Sequence, residues 1–388
     1  MHVVLQKGKG RRVEDGHPWV YKNEIESIHG TPETGDIVEV YNFKNDFVGK
    51  GYINEQSQIT VRLLTRNNKE EINKEFFRKK ISECKNYRDK IHYSGNYRLV
   101  FGEADFLPAL IIDKFNEYYV LQTFSAGMNK WKVVIAEILH EDFHAKGIYE
   151  RNDVPVRKLE GLEEVKGFLI NEFDTNIIIE ENGIKFHIDI ANGQKTGFFL
   201  DQKENRLAIK DIVQGATVLD CFTYTGSFAL MAAHFGAKQI TALDISEDAI
   251  ALTKKNISLN NFTNIDCICE NAFDMLPQWS KEGVQFDVVI LDPPAFTKNR
   301  KGIENALKGY KEINLRGMKM VKPGGFLVTF SCSHFVDVNL FYDMIADAAK
   351  DANKTIREVQ FLSQAKDHPI VWGIEETHYL KGLILQVM

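Results

Sequence analysis

Thr217-Val218-Leu219-Asp220-Cys221-Phe222-Thr223-Tyr224-Thr225-Gly226-Ser227-Phe228 opens a region where apolar runs, turns and helical patterns succeed one another regularly. Thr217–Phe222 reads as a buried strand and Ser227–Phe235 as a helix, with Gly226 at the turn between them. The alternation continues through strand candidates Gln239–Asp244, Ile265–Cys269, Phe286–Asp292 and Gly325–Cys332. Helical patterns at Glu247–Asn260, Phe273–Lys281, Glu304–Val321 and Asp337–Lys350 separate or follow them. Strict β/α alternation predicts a doubly wound, mostly parallel sheet. Ile356–Leu362 and Leu380–Val387 add two strands joined by a loop with no helix, which predicts an antiparallel strand at one edge of a seven-stranded sheet.

Upstream the pattern changes twice. Short apolar runs at Asp36–Tyr41, Phe47–Ile53 and Ile59–Leu64, set between Gly, Asn and Asp turn signals, suit a small β-barrel. A helix is expected over Lys74–Ile91 and another over Lys130–Phe143. Strand-like pieces at Ala109–Ile112, Tyr118–Thr123, Gly147–Glu150 and Asn176–Glu180 make the middle of the chain α+β. The expected division is a barrel over 1–72, an α+β domain over 73–190 and the alternating domain over 191–388.

Composition bounds the class. The 388 residues are 44% hydrophobic and 26% charged, which excludes a disordered, collagen-like or disulfide-framework chain. A net charge of -6 excludes a globally basic nucleic-acid coat but not a local basic patch. The five cysteines are an odd number without zinc-type spacing, consistent with reduced thiols and a cytoplasmic location. Met1–Leu5 is apolar before Lys7, Lys9, Arg11 and Arg12, the reverse of a signal peptide, and no apolar run approaches the ~20 residues of a membrane helix.

The chemistry gathers at the carboxyl ends of the strands, where such sheets bind ligands. Gly226 lets a ligand approach the backbone, but the loop has neither the G-x-G-x-x-G nor the phosphate-loop pattern, which disfavours a nicotinamide dehydrogenase and favours a small molecule without pyrophosphate. Asp244, 24 residues after Asp220, can accept ribose hydroxyls, although an Asp at a strand end also serves as a helix cap. Asn271 offers an amide to an adenine edge beside Ala272 and Phe273. The fourth strand ends in Leu291-Asp292-Pro293-Pro294-Ala295-Phe296, where two prolines stop the ladder and aim Asp292 into the crevice.

These motifs, with Ala242-Leu243-Asp244-Ile245-Ser246 and Ser331-Cys332-Ser333-His334, resemble the ordered motifs of class I S-adenosylmethionine (SAM)-dependent methyltransferases. Asn192-Gly193-Gln194-Lys195-Thr196-Gly197-Phe198-Phe199-Leu200-Asp201-Gln202-Lys203-Glu204-Asn205-Arg206 is more specific. Together with Lys7-Gly8-Lys9-Gly10-Arg11-Arg12 and Gly16-His17-Pro18-Trp19-Val20, it resembles the bacterial large-subunit (23S) rRNA cytosine-5 methyltransferases that carry a PUA domain. The resemblance spans the chain. It implies an N-terminal PUA-like RNA-binding barrel, a central α+β domain, a Rossmann-like catalytic domain, SAM as cofactor and ribosomal RNA as partner, with homodimer formation left open.

The resemblance also implies roles. Asp220, Phe222 and Gly226 would line the methionine side of the cofactor and Asp244 would hold its ribose, with Thr223, Ile245, Asn271, Ala272, Asp292 and Gln202 in the same set. Arg206 would pair with the cofactor carboxylate or else form an ion pair within the protein. Cys332 is the expected nucleophile: carbon 5 of cytosine attacks a methyl donor only after a thiolate has added to carbon 6. Asp292 would hold the base edge, while Cys84, Cys221, Cys267 and Cys269 read as packing. Pro293-Pro294 stands where many RNA cytosine-5 methyltransferases carry a second cysteine, so another group must take the carbon-5 proton. For RNA, Lys7, Lys9, Arg11, Arg12 and Trp19 would serve on the barrel, Phe296 would stack on a flipped base, and Lys298 and Arg300 would form a basic lip. Two rivals are a methyltransferase acting on a base nitrogen without a cysteine and a non-catalytic RNA-binding protein with a vestigial SAM pocket.

Overall fold

The computed structural model describes every residue except Lys298, and the chain forms two compact units. The first comprises Met1–Ile179, Ile188–Leu200 and Lys366–Thr377. Its N-terminal part is a six-stranded sheet ordered Trp19–Tyr21, Ile59–Thr65, Phe47–Ile53, Ile37–Tyr41, His2–Leu5, Ile25–His29. Ile37–Tyr41 alternates half-buried and buried positions, so Val38 and Val40 join Val3, Leu5, Val61 and Leu63 in one apolar core. Gly51 is required in this sheet, because a Cβ there would lie 1.9 Å from the Arg62 carbonyl oxygen on the neighbouring strand.

The same unit holds a five-stranded sheet ordered Val165–Ile170, Gly147–Asn152, Tyr118–Thr123, Leu110–Phe115, Tyr97–Phe101. Helices Lys74–Lys90 and Ala126–Phe143 start at Asn73 and Ser125, whose side chains accept from the amides of Phe76 and Met128. The second helix begins four residues before the sequence pattern suggested. Gly127 weakens that pattern, yet it is needed because a Cβ there would sit 2.0 Å from the Tyr52 ring. Tyr97–Phe101 escaped the sequence reading because Arg98, a polar interruption, is buried against Asp113 at 2.7 Å.

The second unit comprises Glu180–His187, Asp201–Ala365 and His378–Met388. Its seven-stranded sheet is labelled β1 Thr217–Cys221, β2 Gln239–Asp244, β3 Ile265–Cys269, β4 Phe286–Leu291, β5 Val321–Ser331, β6 Ile356–Ser363 and β7 Lys381–Val387. The strand order is β3-β2-β1-β4-β5-β7-β6, with β1 to β5 parallel and helices between successive strands, as the alternation predicted. One expectation fails. The antiparallel strand is not at the edge: β7 pairs antiparallel with both β5 and β6, and β6 takes the edge. Burial explains the order. β7 is buried at almost every position and reads Gly382-Leu383-Ile384-Leu385, whereas β6 is mostly exposed and carries Arg357, Glu358 and Gln360, as suits an edge. Leu219, Leu243, Val289, Leu291, Leu327 and Phe341 knit strands and helices into the core on which the strand tips stand. Among the described residues no helix is long and apolar enough to cross a membrane.

Candidate active site

After β1 the backbone enters the left-handed region three times in five residues, at Phe222 (φ 63°), Tyr224 (φ 50°) and Gly226 (φ 81°). Such conformations cost free energy at non-glycine positions and need outside support. The support is polar. The amide of Thr223 donates to the Leu243 carbonyl at 3.1 Å, that of Tyr224 to Asp244 Oδ2 at 2.9 Å, and that of Gly226 to the Thr223 carbonyl at 2.9 Å. A Cβ at Gly226 would lie 2.6 Å from both Leu230 and Thr253. Asp220 anchors the turn from below: Oδ2 accepts from Thr223 Oγ1 at 2.5 Å and from the Ala229 amide at 3.0 Å. Its Oδ1 is buried and has no hydrogen-bond partner among the described residues. Burial, with the charges of Asp292 and Asp244 adding repulsion, pushes this carboxyl up to about 7.

At the tip of β2, Asp244 Oδ1 accepts from the Ser246 amide at 2.9 Å, and Ile245 is 67% exposed, a large apolar side chain open at the crevice. At the tip of β3, Asn271 Oδ1 caps the next helix through the Phe273 amide at 3.0 Å, and Ala272 is buried beneath it. Gln202 meets the tip of β4: its Nε2 donates to Asp292 Oδ1 at 2.9 Å, and its Oε1 accepts from Asn205 at 2.6 Å. Arg206 does not open on this crevice. It is fully buried, with Nε and Nη2 within 2.7 and 2.6 Å of Glu181 Oε1. A cation in the interior requires a counter-ion, and Glu181 is the carboxylate that Arg206 meets there, so the expected pairing with a cofactor carboxylate is corrected to an internal ion pair.

Cys332 follows β5, half-buried, with Sγ 3.8 Å from the Pro293 carbonyl oxygen. The thiol therefore sits beside the Asp292-Pro293-Pro294 turn and is not sealed in the core. Cys221 is the contrast: it is fully buried, and burial pushes its thiol well above the ordinary range. Cys269, expected in the core, is exposed, because it stands at the outer end of the edge strand β3. Phe222, Phe273, Phe296 and Tyr310 form a file with ring separations of 6.4, 5.6 and 4.4 Å, and the Tyr310 hydroxyl lies 2.9 Å from Ser333 Oγ. Phe296 is half-buried and packed against Tyr310 on one side.

Residues 3–66 match the PUA-like domain family, and residues 163–385, more than half of the chain, match the S-adenosylmethionine-dependent methyltransferase family. The protein named Ribosomal RNA large subunit methyltransferase I from Pseudoalteromonas translucida is 40% identical over 391 residues, covering 99% of each chain. Its namesake from Shewanella frigidimarina is also 40% identical, over 395 residues, covering 100% of this chain and 99% of that one. The chain belongs to the ribosomal RNA large subunit methyltransferase I family. The fold is shared with a candidate SAM-dependent methyltransferase from Streptococcus mutans (TM-score 0.84) and with a candidate methyltransferase solved with SAH (TM-score 0.86), each 20% identical over the full length of both chains.

Family membership makes SAM the cofactor, and the crevice fits it. The buried Oδ1 of Asp220, without a partner among the described residues, calls for a hydrogen-bond partner, the glycine turn admits a ligand to the backbone, and the exposed Ile245 and Phe273 offer apolar cover to a flat ring. The burial that raises the Asp220 carboxyl gives a first prediction. Its folded value of about 7 against 3.8 for the free group means that the native state holds an extra proton between about pH 4 and 7. Stability conferred by that proton is present at low pH and is lost as pH rises through 7. Thermal unfolding of the SAM-free protein at pH 5 and pH 8 should show wild type losing up to about 3 kcal/mol more than Asp220→Asn across this interval, from the roughly two pH units that lie below the folded value. Equal losses would show that the group is not protonated.

The residues expected to touch RNA divide. Lys7, Lys9 and Arg11 are exposed on the barrel, and Arg300 is exposed after the Asp292 turn. Arg12 is bound internally, pairing with Glu24 at 3.2 Å, donating to the Trp19 carbonyl at 2.9 Å and lying over the Tyr21 ring at 4.9 Å. Trp19 is half-buried, with its indole N–H donated to Glu103 at 2.9 Å. Both side chains are thus tied into the first unit and only partly exposed, whereas Lys7, Lys9 and Arg11 are open to solvent. Lys298 lies outside the described residues. Sequence reading also passed over Tyr310, Ser333 and Lys381, although a lysine opening the apolar run of β7 was a visible anomaly.

Proposed function

We propose that this chain transfers a methyl group from SAM to carbon 5 of a cytosine in large-subunit (23S) ribosomal RNA, acting in the cytoplasm. The observation that carries the reading is the half-buried Cys332 thiol, 3.8 Å from the Pro293 carbonyl and beside Asp292 at the mouth of the cofactor crevice. The relatives named for large-subunit ribosomal RNA at 40% identity support the substrate.

In this reading Asp220, Phe222, Thr223 and Gly226 hold the amino-acid end of the cofactor, Asp244 and Ile245 its ribose, and Asn271 and Ala272 the adenine. When bound, SAM supplies an electrophilic methyl group on sulfonium. Cys332, as thiolate, adds to carbon 6 of the cytosine, and carbon 5 gains the electron pair it needs to attack. Asp292, fixed by the Gln202 amide, orients the base edge. Loss of the carbon-5 proton to a base then expels the thiolate and restores the ring. Lys7, Lys9, Arg11 and Arg300 supply charge to RNA phosphates. The modules 1–72, 73–190 and 191–388 divide RNA binding, support and catalysis.

Trapping on ribosomal RNA carrying 5-fluorocytosine tests the proposal, since fluorine at carbon 5 cannot leave as a proton and the Cys332 adduct persists. The expected result is a protein–RNA species stable in denaturant whose crosslinked peptide contains Cys332. Methyl transfer without an adduct would support reaction at a base nitrogen instead. Cofactor binding without any transfer would support the non-catalytic reading, and light scattering would report a homodimer.

A further inference from the structure

We infer that Lys381 is a positioning residue that holds Cys332 as a thiolate. The inference deepens the proposed cysteine chemistry and rests on it for its purpose. Lys381 opens β7, and in the ladder it faces Ser331, the last residue of β5 and the immediate neighbour of Cys332. A charged side chain at a central strand is costly unless it is held, and Lys381 is only 2% exposed. Its Nζ donates to the Ser333 carbonyl at 2.8 Å and to the Tyr379 carbonyl at 2.9 Å. Two carbonyls thus fix the amine, one of them on the residue that follows Cys332, and the ammonium keeps a third N–H.

The electrostatics agree. Burial lowers Lys381 to about 8, while Cys332 and, less strongly, Asp337 favour its charged form. Asp337 is itself engaged in capping the helix Val338–Ala352 through the Leu340 amide at 2.9 Å. Two further titratable groups respond to the pair: Tyr310 is pushed up by burial and by Cys332, and His378 is pushed down by burial and by Lys381. Between the thiol and Asp337, the amine feels the thiol more. Passing the Sγ proton to a neutral Nζ creates a thiolate–ammonium pair with no change in total charge, and the opposite charge of the ammonium stabilises the sulfur anion. In catalysis the same ammonium stabilises the thiolate again when it leaves carbon 6.

The test needs neither RNA nor cofactor. Full-length protein is alkylated with iodoacetamide between pH 5.5 and 9.5, and mass spectrometry follows the Cys332 and Cys269 peptides in the same sample, with Cys269 as the exposed reference. Cys332 in wild type is expected to titrate at least one pH unit below Cys269. Lys381→Met should move its inflection upward, and the Cys332 alkylation rate near pH 7 should fall about tenfold for every pH unit the inflection climbs, while Lys381→Arg keeps the low inflection. A wild-type Cys332 profile coincident with Cys269 overturns the inference without any variant, as does a folded Lys381→Met whose profile is unmoved. A depressed Cys332 profile in a protein that fails to trap 5-fluorocytosine RNA leaves this inference standing and overturns the proposed function alone.

Discussion

Cys332→Ala should abolish methyl transfer to ribosomal RNA while leaving SAM affinity within about twofold of wild type. The expected fall in turnover is roughly 10³-fold or more, the scale on which removing a covalent nucleophile acts. The separation of the two effects follows from position. The turn that supports the cofactor crevice is held by Asp220, Thr223, Asp244 and Leu243, whereas the Cys332 sulfur rests against the Pro293 carbonyl. Truncating a half-buried thiol also leaves only a small cavity, so folding should be little affected. Cys332→Ser discriminates further, because its hydroxyl is too weak a nucleophile at neutral pH to replace the thiolate and should be nearly as inactive. Calorimetry for SAM and tritium transfer to bulk rRNA from cells lacking the activity measure the two quantities. Substantial activity in Cys332→Ala would remove the carbon-5 mechanism and leave a methyltransferase acting elsewhere on the base.

Arg206→Met should destabilise the protein by about 3–5 kcal/mol, because it strands the Glu181 carboxylate, fully buried with its partner, inside the second unit. Glu181→Leu alone should cost a similar amount. The double variant should recover most of the loss, since two apolar side chains of comparable volume replace a pair whose desolvation had offset most of its attraction. Thermal unfolding reads the effect as a midpoint shift of roughly 2–4 °C per kcal/mol for a unit of this size. The double variant also decides what Arg206 is for. As a structural partner of Glu181 it can be removed without changing SAM affinity. If affinity falls tenfold or more in a double variant of restored stability, the arginine reaches the cofactor after all.

The parallel core of the catalytic unit was legible because β1 and β4, at its centre, are almost continuously buried and helices alternate with all five strands, a pattern written locally in the chain. Strand bounds at Gln239–Asp244 and Ile265–Cys269 coincide with the sequence reading. What escaped was set by contacts between distant positions. The order β5-β7-β6 depends on which strand can bear exposure, and adjacency in sequence misled. Arg12, Trp19 and Arg206 read as ligand-binding groups because a lone cation or indole does not reveal its partner; Glu24, Glu103 and Glu181 supply those partners across the fold. Lys381 was passed over for the opposite reason. Its carbonyl partners at Ser333 and Tyr379 belong to the backbone, which carries no sequence signal at all.

The position of β7 has a consequence for biosynthesis. It leaves the ribosome after β6, yet it must lie between β6 and β5. Until it arrives, one side of β5 is an unpaired edge, and the lysine that steadies the segment around Cys332 is missing. A nascent chain can therefore complete β1 to β5 early, but under the proposed pairing the Cys332 thiol meets its lysine only once β7 has inserted. The order of translation thus sets the order in which the sheet closes around Cys332.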